Sequence, residues 1–184
     1  MTTRPNFTIS VELEWDDEAR ADVDGERVPT DAALIRLVAA ALHEAGAGGG
    51  EQLEVGVTIV GLERMGAVND EHRGLEGATD VLAFPIDGLL EPIEPGEPRV
   101  VGDLVICPAY VLRQLAEGTT MAPHGPGQED GDATLAAALE RCVVHGTLHL
   151  AGFDHERGEL EAREQFELEQ LVLDRVRGAR DRAE

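Results

Sequence analysis

Three histidines in the carboxyl-terminal part of the chain have the spacing of a metal site. His145, His149 and His155 lie in the segment HGTLHLAGFDH, which has the pattern H-x-x-x-H-x-x-G-x-x-H. Residues four apart share one face of a helix, so His145 and His149 present two imidazoles side by side. Gly152 is the type of residue that ends a helix, and a turn there can return His155 to the same point. The pattern predicts that three imidazoles bind one divalent metal ion.

Three protein ligands with an open fourth position are typical of a catalytic zinc site, whereas structural zinc is usually closed by four ligands. We therefore predict one zinc ion that activates water for hydrolysis. Three imidazoles also suit nickel, copper or iron, so the native metal stays open. The chain has three further histidines. His43 and His124 are predicted to be ordinary surface residues, and His72 is of interest because Arg73 follows it.

The same histidine spacing occurs in the metzincin peptidases, which makes peptide hydrolysis the first alternative. Those enzymes place a glutamate directly after the first histidine as general base, and this chain has Gly146 there. We interpret Asp154 as an acceptor that orients an imidazole ring rather than as a replacement base. Asp80 and Asp103 are predicted to form structural hydrogen bonds. The residues therefore argue against a peptidase and identify no general base.

Four strands and five helices are predicted to position these residues. Alternating apolar residues predict strands, and apolar residues at helical spacing predict helices. The predicted strands are 7–15, 53–60, 80–84 and 100–107, and the predicted helices are 31–45, 62–70, 109–117, 133–151 and 159–177. Asp132 is the predicted N-cap of the long helix that carries His145 and His149, and Gly152 is its predicted end.

This order predicts an α+β fold in which helices pack on a small, mostly four-stranded sheet. We expect a single domain over residues 1–184, with an ordered core over about 5–177 and with acidic loops at 87–98 and 118–131. A hydrophobic fraction of 42% is enough to bury one core. Cys107 and Cys142 fall on predicted buried elements, so we expect two free structural thiols and no disulfide.

The net charge of the chain limits how it can bind a polyanion such as nucleic acid. The sequence has 37 acidic residues against 15 basic ones, all of them arginine, and its net charge is -22. A protein that grips nucleic acid over a wide surface displays a basic face, so any such contact here must be local or assisted by a basic partner. The chain has no run of apolar residues long enough to cross a membrane, and we expect a cytoplasmic protein without a membrane partner.

At these motifs the sequence resembles the YbeY family of metal-dependent endoribonucleases. The segment from His145 to His155 matches the family signature H-G-x-L-H-L-x-G-x-D-H. Residues 69–85, NDEHRGLEGATDVLAFP, resemble the family's N-x-x-x-R block followed by T-D-V-L-S-F-P, and residues 102–106, GDLVI, resemble its G-D-I-V-I strand. Together these similarities extend over about residues 50–172.

The resemblance implies a zinc ion on His145, His149 and His155 and cleavage of single-stranded RNA during ribosomal RNA maturation and ribosome quality control. It also implies a catalytic role for Arg73. A guanidinium can donate two parallel hydrogen bonds to phosphate oxygens while negative charge accumulates on them. The implied partners are ribosomal RNA and the small ribosomal subunit or its basic proteins. Attack by water and attack by the RNA's own 2′-OH both stay open.

Two other classes of function remain as alternatives. One is a noncatalytic ribosome-assembly factor in which zinc is a structural brace, and the acidic surface that could dock basic ribosomal proteins favours it. The other is a zinc hydrolase of peptidase type that acts on a different substrate. The sequence does not indicate an oligomeric state.

Overall fold

A computed structural model describes residues 7–48, 50–89, 97–119 and 134–180 of the chain. The described elements are β1 Phe7–Trp15, α1 Asp17–Asp22, α2 Asp31–Glu44, β2 Glu51–Ile59, α3 Leu62–Arg73, β3 Val81–Pro85, β4 Arg99–Ile106, α4 Pro108–Glu117, α5 Leu135–Leu150 and α6 Glu159–Arg180. The α+β prediction, with a four-stranded sheet and packed helices, is confirmed.

The sheet has the strand order β1-β2-β4-β3. β1 pairs parallel with β2 and β2 pairs parallel with β4, whereas β3 pairs antiparallel with β4 and forms one edge. The central strands alternate apolar residues toward the helices, as in β2, where Leu53, Val55, Val57 and Ile59 are buried. This pattern places β3 and the carboxyl end of β4 beside the helix that carries two of the histidines.

α5 is the central helix of the core, and it packs against α2, α4, α6, β3 and β4. Its buried positions occupy most of its circumference, from Leu135 to Leu150. Such a helix is stabilised mainly by tertiary packing rather than by its own propensity. His145 and His149 are therefore mounted on one of the most constrained segments of the chain.

Several element boundaries differ from the sequence prediction, among them the start of α5 and the end of α6. The N-cap of α5 is Thr134, whose side chain accepts from the backbone N–H of Ala137, so the helix begins after the predicted Ala133 start. The predicted cap, Asp132, lies outside the described residues. α6 continues to Arg180, beyond its predicted end. In each case the apolar spacing located the helix but not its ends, because caps depend on single hydrogen bonds.

The sequence analysis also missed the short helix α1. Its six residues bury only Ala19, so no apolar stripe marks it. It is held instead by Asp16, whose carboxylate accepts from the backbone N–H groups of Ala19 at 2.7 Å and Gly61 at 3.3 Å. The second bond ties α1 to the start of α3.

The first predicted acidic loop is partly an extension of the sheet. The backbone N–H of Ile86 donates to Val101, and Asp87 exchanges hydrogen bonds with Val100. Residues 90–96 of this loop, and 120–131 of the second one, lie outside the described residues. Among the helices that are described, none has the length and apolar character needed to span a membrane.

Candidate metal centre

His145 and His149 project from one face of α5, as their spacing predicts. The end of this helix is a Schellman motif: the N–H of Phe153 donates to the carbonyl of Leu148, and the N–H of Gly152 donates to that of His149, both at 3.0 Å. Gly152 has φ of 102°, a left-handed conformation that favours glycine. The chain then reverses and brings His155 beside the two helix histidines.

The three imidazoles converge on one point. The ring centroids of His155 lie 5.1 Å from those of both His145 and His149, and one ligand atom from each residue falls within 4.8 Å of the others. The Nε2 atoms of His145 and His149 are 3.1 Å apart. Two nitrogens bound to a tetrahedral zinc ion at its usual bond length are separated by about 3.3 Å. The donor set and its spacing therefore fit a divalent metal ion.

Protonation of the rings also suits a metal. Burial lowers the pKa of His149 from its ordinary value of 6.5 to about 4, and His145 and His155 act in the same direction. His149 is thus neutral at physiological pH and has a lone pair to donate. The Nδ1 atom of His145 is 2.7 Å from Oε1 of Glu169. We assign the ring proton to Nδ1 because a carboxylate oxygen accepts a hydrogen bond, and this leaves the lone pair of Nε2 for a metal.

The acceptor that orients His145 comes from α6, and the sequence analysis did not identify it. Glu169 is only 7% exposed, and its neighbour Gln165 is fully buried. Asp154 instead accepts from the backbone N–H of Glu156 at 3.0 Å and from Nε of Arg157 at 3.1 Å. Among the described residues Asp154 has no hydrogen bond to an imidazole, so the interpretation that it orients a ring is wrong.

An open cavity of about 600 Å³ lies next to the histidines. One wall comes from the segment after α3 and from β3, including Thr79 and Asp80, and the other comes from α5 and the turn that carries His155. Arg73 and Arg157 are the two arginines in its lining. The histidine cluster and Arg73 therefore line the same open cavity.

Arg73 is positioned by the end of α3. It is the last residue of that helix, before Gly74, which has φ of 65°. The buried side chain of Asn69 donates from Nδ2 to the carbonyls of Leu75 at 3.2 Å and Gly77 at 2.8 Å, which fixes the following loop. The ring of His72 packs against that of Phe84 of β3, with centroids 4.7 Å apart and an angle of 56° between the ring planes. These contacts hold the end of α3 against the sheet while the Arg73 side chain stays exposed.

Gly146 is required by the approach of α5 to the sheet. A Cβ atom at this position would lie 2.8 Å from Cδ2 of Leu104 and 3.1 Å from Cγ2 of Val81. Carbon atoms prefer separations of about 3.5–4.0 Å, so even alanine is crowded here. A glutamate side chain has no room between α5 and the sheet. The structure therefore gives a physical reason for the absence of the peptidase base.

The remaining predicted residues have mixed outcomes. Asp80 accepts from the backbone N–H of Val81 at 2.7 Å, which confirms its structural hydrogen bond. Asp103 is exposed, and its carboxylate accepts no hydrogen bond from another described residue, although its Oδ1 lies close to Gly56. His43 is half-buried near Phe7, so its prediction as a surface residue is wrong. His124 lies outside the described residues.

The two cysteines match their prediction. Cys107 and Cys142 are buried, and neither takes part in a disulfide. Among the residues that the structure describes, the three histidines are the one group of three or more His, Cys, Asp or Glu residues placed to share a metal ion. The cysteines therefore do not supply a fourth ligand to a closed site.

Comparison with known proteins finds one family along most of the chain. A family model described as Endoribonuclease YbeY matches residues 21–177. Proteins named Endoribonuclease YbeY are similar to this chain in Salinispora tropica, with 36% identity over 92% of this chain and 99% of the relative, and in Micrococcus luteus, with 35% identity over 84% and 88%. The solution structure of TM1509 from Thermotoga maritima has a similar fold, with a TM-score of 0.56 at 22% identity over 95% of this chain and 93% of that one.

Proposed function

The chain belongs to the Endoribonuclease YbeY family, and from this premise we propose that it is a metal-dependent endoribonuclease that cleaves single-stranded RNA during ribosomal RNA maturation. One observation carries the proposal: the three converging histidines and Arg73 line the same open cavity. We extend the proposal to ribosome quality control, to a cytoplasmic location, and to docking on the small ribosomal subunit or its basic proteins. The net charge of -22 supports protein-mediated docking.

We propose one zinc ion, held by His145, His149 and His155. When bound, zinc supplies a Lewis acid and lowers the pKa of water from about 16 toward roughly 7. The chain's own residues prepare this position in two ways. Burial keeps His149 neutral, and Glu169 holds the ring proton of His145 on Nδ1.

Arg73 is proposed to bind the scissile phosphate. Within the described parts of the chain, no hydrogen bond or ion pair to its guanidinium is recorded, and the side chain is exposed at the cavity. A guanidinium that is not committed to a carboxylate can donate two parallel hydrogen bonds to phosphate oxygens. It stabilises the charge that accumulates on those oxygens as the bond breaks.

Two observations disfavour the alternatives. Crowding at Gly146 excludes a glutamate base, which a metzincin-type peptidase requires. A structural zinc brace would be closed by four ligands, whereas these three histidines face an open cavity of about 600 Å³. An endoribonuclease therefore fits the site better than a peptidase or a noncatalytic assembly factor.

The test compares zinc-loaded protein with Arg73→Ala, His149→Ala and the control Arg36→Ala on labelled single-stranded RNA, double-stranded RNA and a peptide library. Arg36 is an exposed arginine on α2 and is absent from the cavity lining. We expect cleavage of single-stranded RNA that is lost in His149→Ala and unchanged in Arg36→Ala. Arg73→Ala should retain zinc but lower kcat/KM on the order of 100- to 1,000-fold.

Folded, zinc-bound protein that cleaves no RNA would refute the nuclease proposal in favour of an assembly factor, and cleavage of peptides alone would favour a peptidase. The same assay separates the two routes of attack. RNA with 2′-O-methyl groups is still cleaved if water attacks, and it resists cleavage if the 2′-OH is the nucleophile.

A further inference from the structure

Two polar side chains on α6 are buried against the histidine cluster, at positions where packing alone would favour apolar residues. Gln165 has no exposed surface, and Glu169 is 7% exposed. Burying such groups costs free energy unless their hydrogen bonds are satisfied. Their neighbours Glu164 and Glu167, on the same helix, are exposed to solvent. The buried face of α6 beside the histidines therefore favours side chains that can form hydrogen bonds over apolar ones.

The contact between Glu169 and His145 fixes the tautomer of the ring. Oε1 of Glu169 lies 2.7 Å from Nδ1 of His145. A carboxylate oxygen accepts hydrogen bonds, so this contact assigns the donor role and the ring proton to Nδ1. The bare Nε2 is then the nitrogen that faces His149, at 3.1 Å from its Nε2. Glu169 thus determines which nitrogen of His145 can bind a metal.

Gln165 in turn holds Glu169. Its Nε2 lies 3.3 Å from Oε1 of Glu169 and 3.2 Å from Nδ1 of His145. Because Nδ1 already carries a proton, the amide donates to the carboxylate. The reverse amide orientation would place two oxygens against each other with no proton between them. Among the residues that the structure describes, Oε1 of Gln165 is buried and has no hydrogen-bond partner, so the stabilising contact of this side chain is the one that its Nε2 donates.

We propose that Glu169 is a positioning residue for the metal centre, that Gln165 supports it, and that α6 is therefore part of the metal site and not only of the core. The inference rests on the three-histidine site of the proposed function but not on its RNA substrate. Hydrogen bonding to a carboxylate orients a metal-binding imidazole and makes it a stronger base. Docking of α6 and metal binding then stabilise each other.

Glu140 provides a matched control. It is a buried glutamate on α5, 5% exposed, and its Oε2 lies 3.8 Å from Nε of Arg177 on α6. Glu140→Gln therefore makes the same chemical change at a buried contact between the same two helices. The side-chain hydrogen-bond contacts that the structure describes for His145 are with Glu169, Gln165 and His149.

The experiment measures zinc affinity by competition with a chromogenic chelator, and urea unfolding without metal, for the wild type, Glu169→Gln, Gln165→Leu and Glu140→Gln. We expect Glu169→Gln to weaken zinc binding about 10- to 100-fold, Gln165→Leu to weaken it less, and Glu140→Gln to leave it unchanged. Zinc affinity in Glu169→Gln within twofold of the wild type would overturn the proposal.

A second measurement does not depend on any variant folding. Long-range ¹H–¹⁵N NMR of the metal-free wild type should show His145 protonated at Nδ1, and protonation at Nε2 alone would overturn the proposal. The outcomes also separate this proposal from the nuclease. Loss of zinc affinity in Glu169→Gln, without RNA cleavage by the wild type, would leave the positioning role standing and refute the RNA substrate. A wild type that does not bind zinc would refute both.

Discussion

Adding one methyl group to α5 should reveal how tightly the metal-bearing helix is packed on the sheet. Gly146 lies inside α5 between two of the histidines, and Gly66 lies inside α3. Alanine is more favourable than glycine in a helix interior by about 1 kcal/mol, so both Gly→Ala changes gain the same propensity. The difference between the two variants therefore measures packing alone.

The surroundings of the two glycines differ sharply. A Cβ atom at Gly66 meets nothing closer than 3.7 Å, which is ordinary van der Waals contact. A Cβ atom at Gly146 meets Leu104 at 2.8 Å and Val81 at 3.1 Å. Leu104 is fully buried, so its side chain can move only by displacing other core residues. Overpacking of this kind costs about 1–3 kcal/mol.

These values predict opposite changes in the free energy of unfolding. Gly66→Ala should stabilise the metal-free protein by about 1 kcal/mol. Gly146→Ala should lower the free energy of unfolding by up to about 2 kcal/mol, because the packing cost exceeds the gain in helix propensity. For a chain of this size, 1 kcal/mol shifts Tm by about 2–4 °C, so the two midpoints should differ by roughly 2–12 °C.

Urea unfolding in the presence of EDTA measures both variants, and a zinc competition assay follows on the same samples. The displacement of α5 should also weaken zinc binding in Gly146→Ala, because His145 and His149 move with the helix whereas His155 lies beyond it. Gly66→Ala should bind zinc as the wild type does. Equal stabilisation by both alanines would refute the crowding at Gly146, and with it the steric argument against a glutamate base.

Three further outcomes are expected from other parts of the chain. Asn69→Ala should cost about 1–3 kcal/mol in urea unfolding, because it removes two buried hydrogen bonds, and it should leave zinc affinity unchanged. Cys107 and Cys142 should react slowly with a thiol reagent at pH 8 and fast in urea, since both are buried, and fast labelling of the folded chain would contradict this. Burial raises the pKa of Cys107 from 9.0 to about 11. The protonated thiol therefore makes its full contribution to stability below pH 9, and this contribution is lost as the pH rises through 11. Over that pH range the free energy of unfolding should fall less for Cys107→Ala than for the wild type.

The sequence predicted the metal-bearing helix well because two independent signals agree there. Apolar residues such as Leu139 and Val143 recur at helical spacing, and the two helix histidines keep the same period. The end of the helix was equally predictable, because a glycine such as Gly152 takes the left-handed conformation that a Schellman motif requires. All of these features depend on residues that are close together in the sequence.

Residues that act over long distances in the chain were not predictable in this way. Glu169 lies 24 positions from His145, on a helix whose acids look alike in sequence. Exposed Glu164 and Glu167 differ from buried Glu169 only in the direction they face, and that direction is set by how α6 docks. Asp154 was the obvious acceptor by proximity, but it bonds instead to the backbone two residues ahead. Such local backbone bonds commonly capture an aspartate in a turn.

The charge of the cavity predicts that a bound metal ion strengthens RNA binding. Its lining contains Arg73 and Arg157 but also Asp80, Asp154 and Glu156, so the carboxylates outnumber the arginines. Because an imidazole that binds a metal ion is neutral, a divalent cation at the cluster reverses the sign of the lining and gives a phosphate a positive surface within a strongly acidic protein. Zinc should therefore increase the affinity for a non-cleavable single-stranded RNA, and Arg73→Ala should remove part of that increase without affecting zinc binding. Equal RNA affinity with and without zinc would show that the cavity is not where the RNA binds.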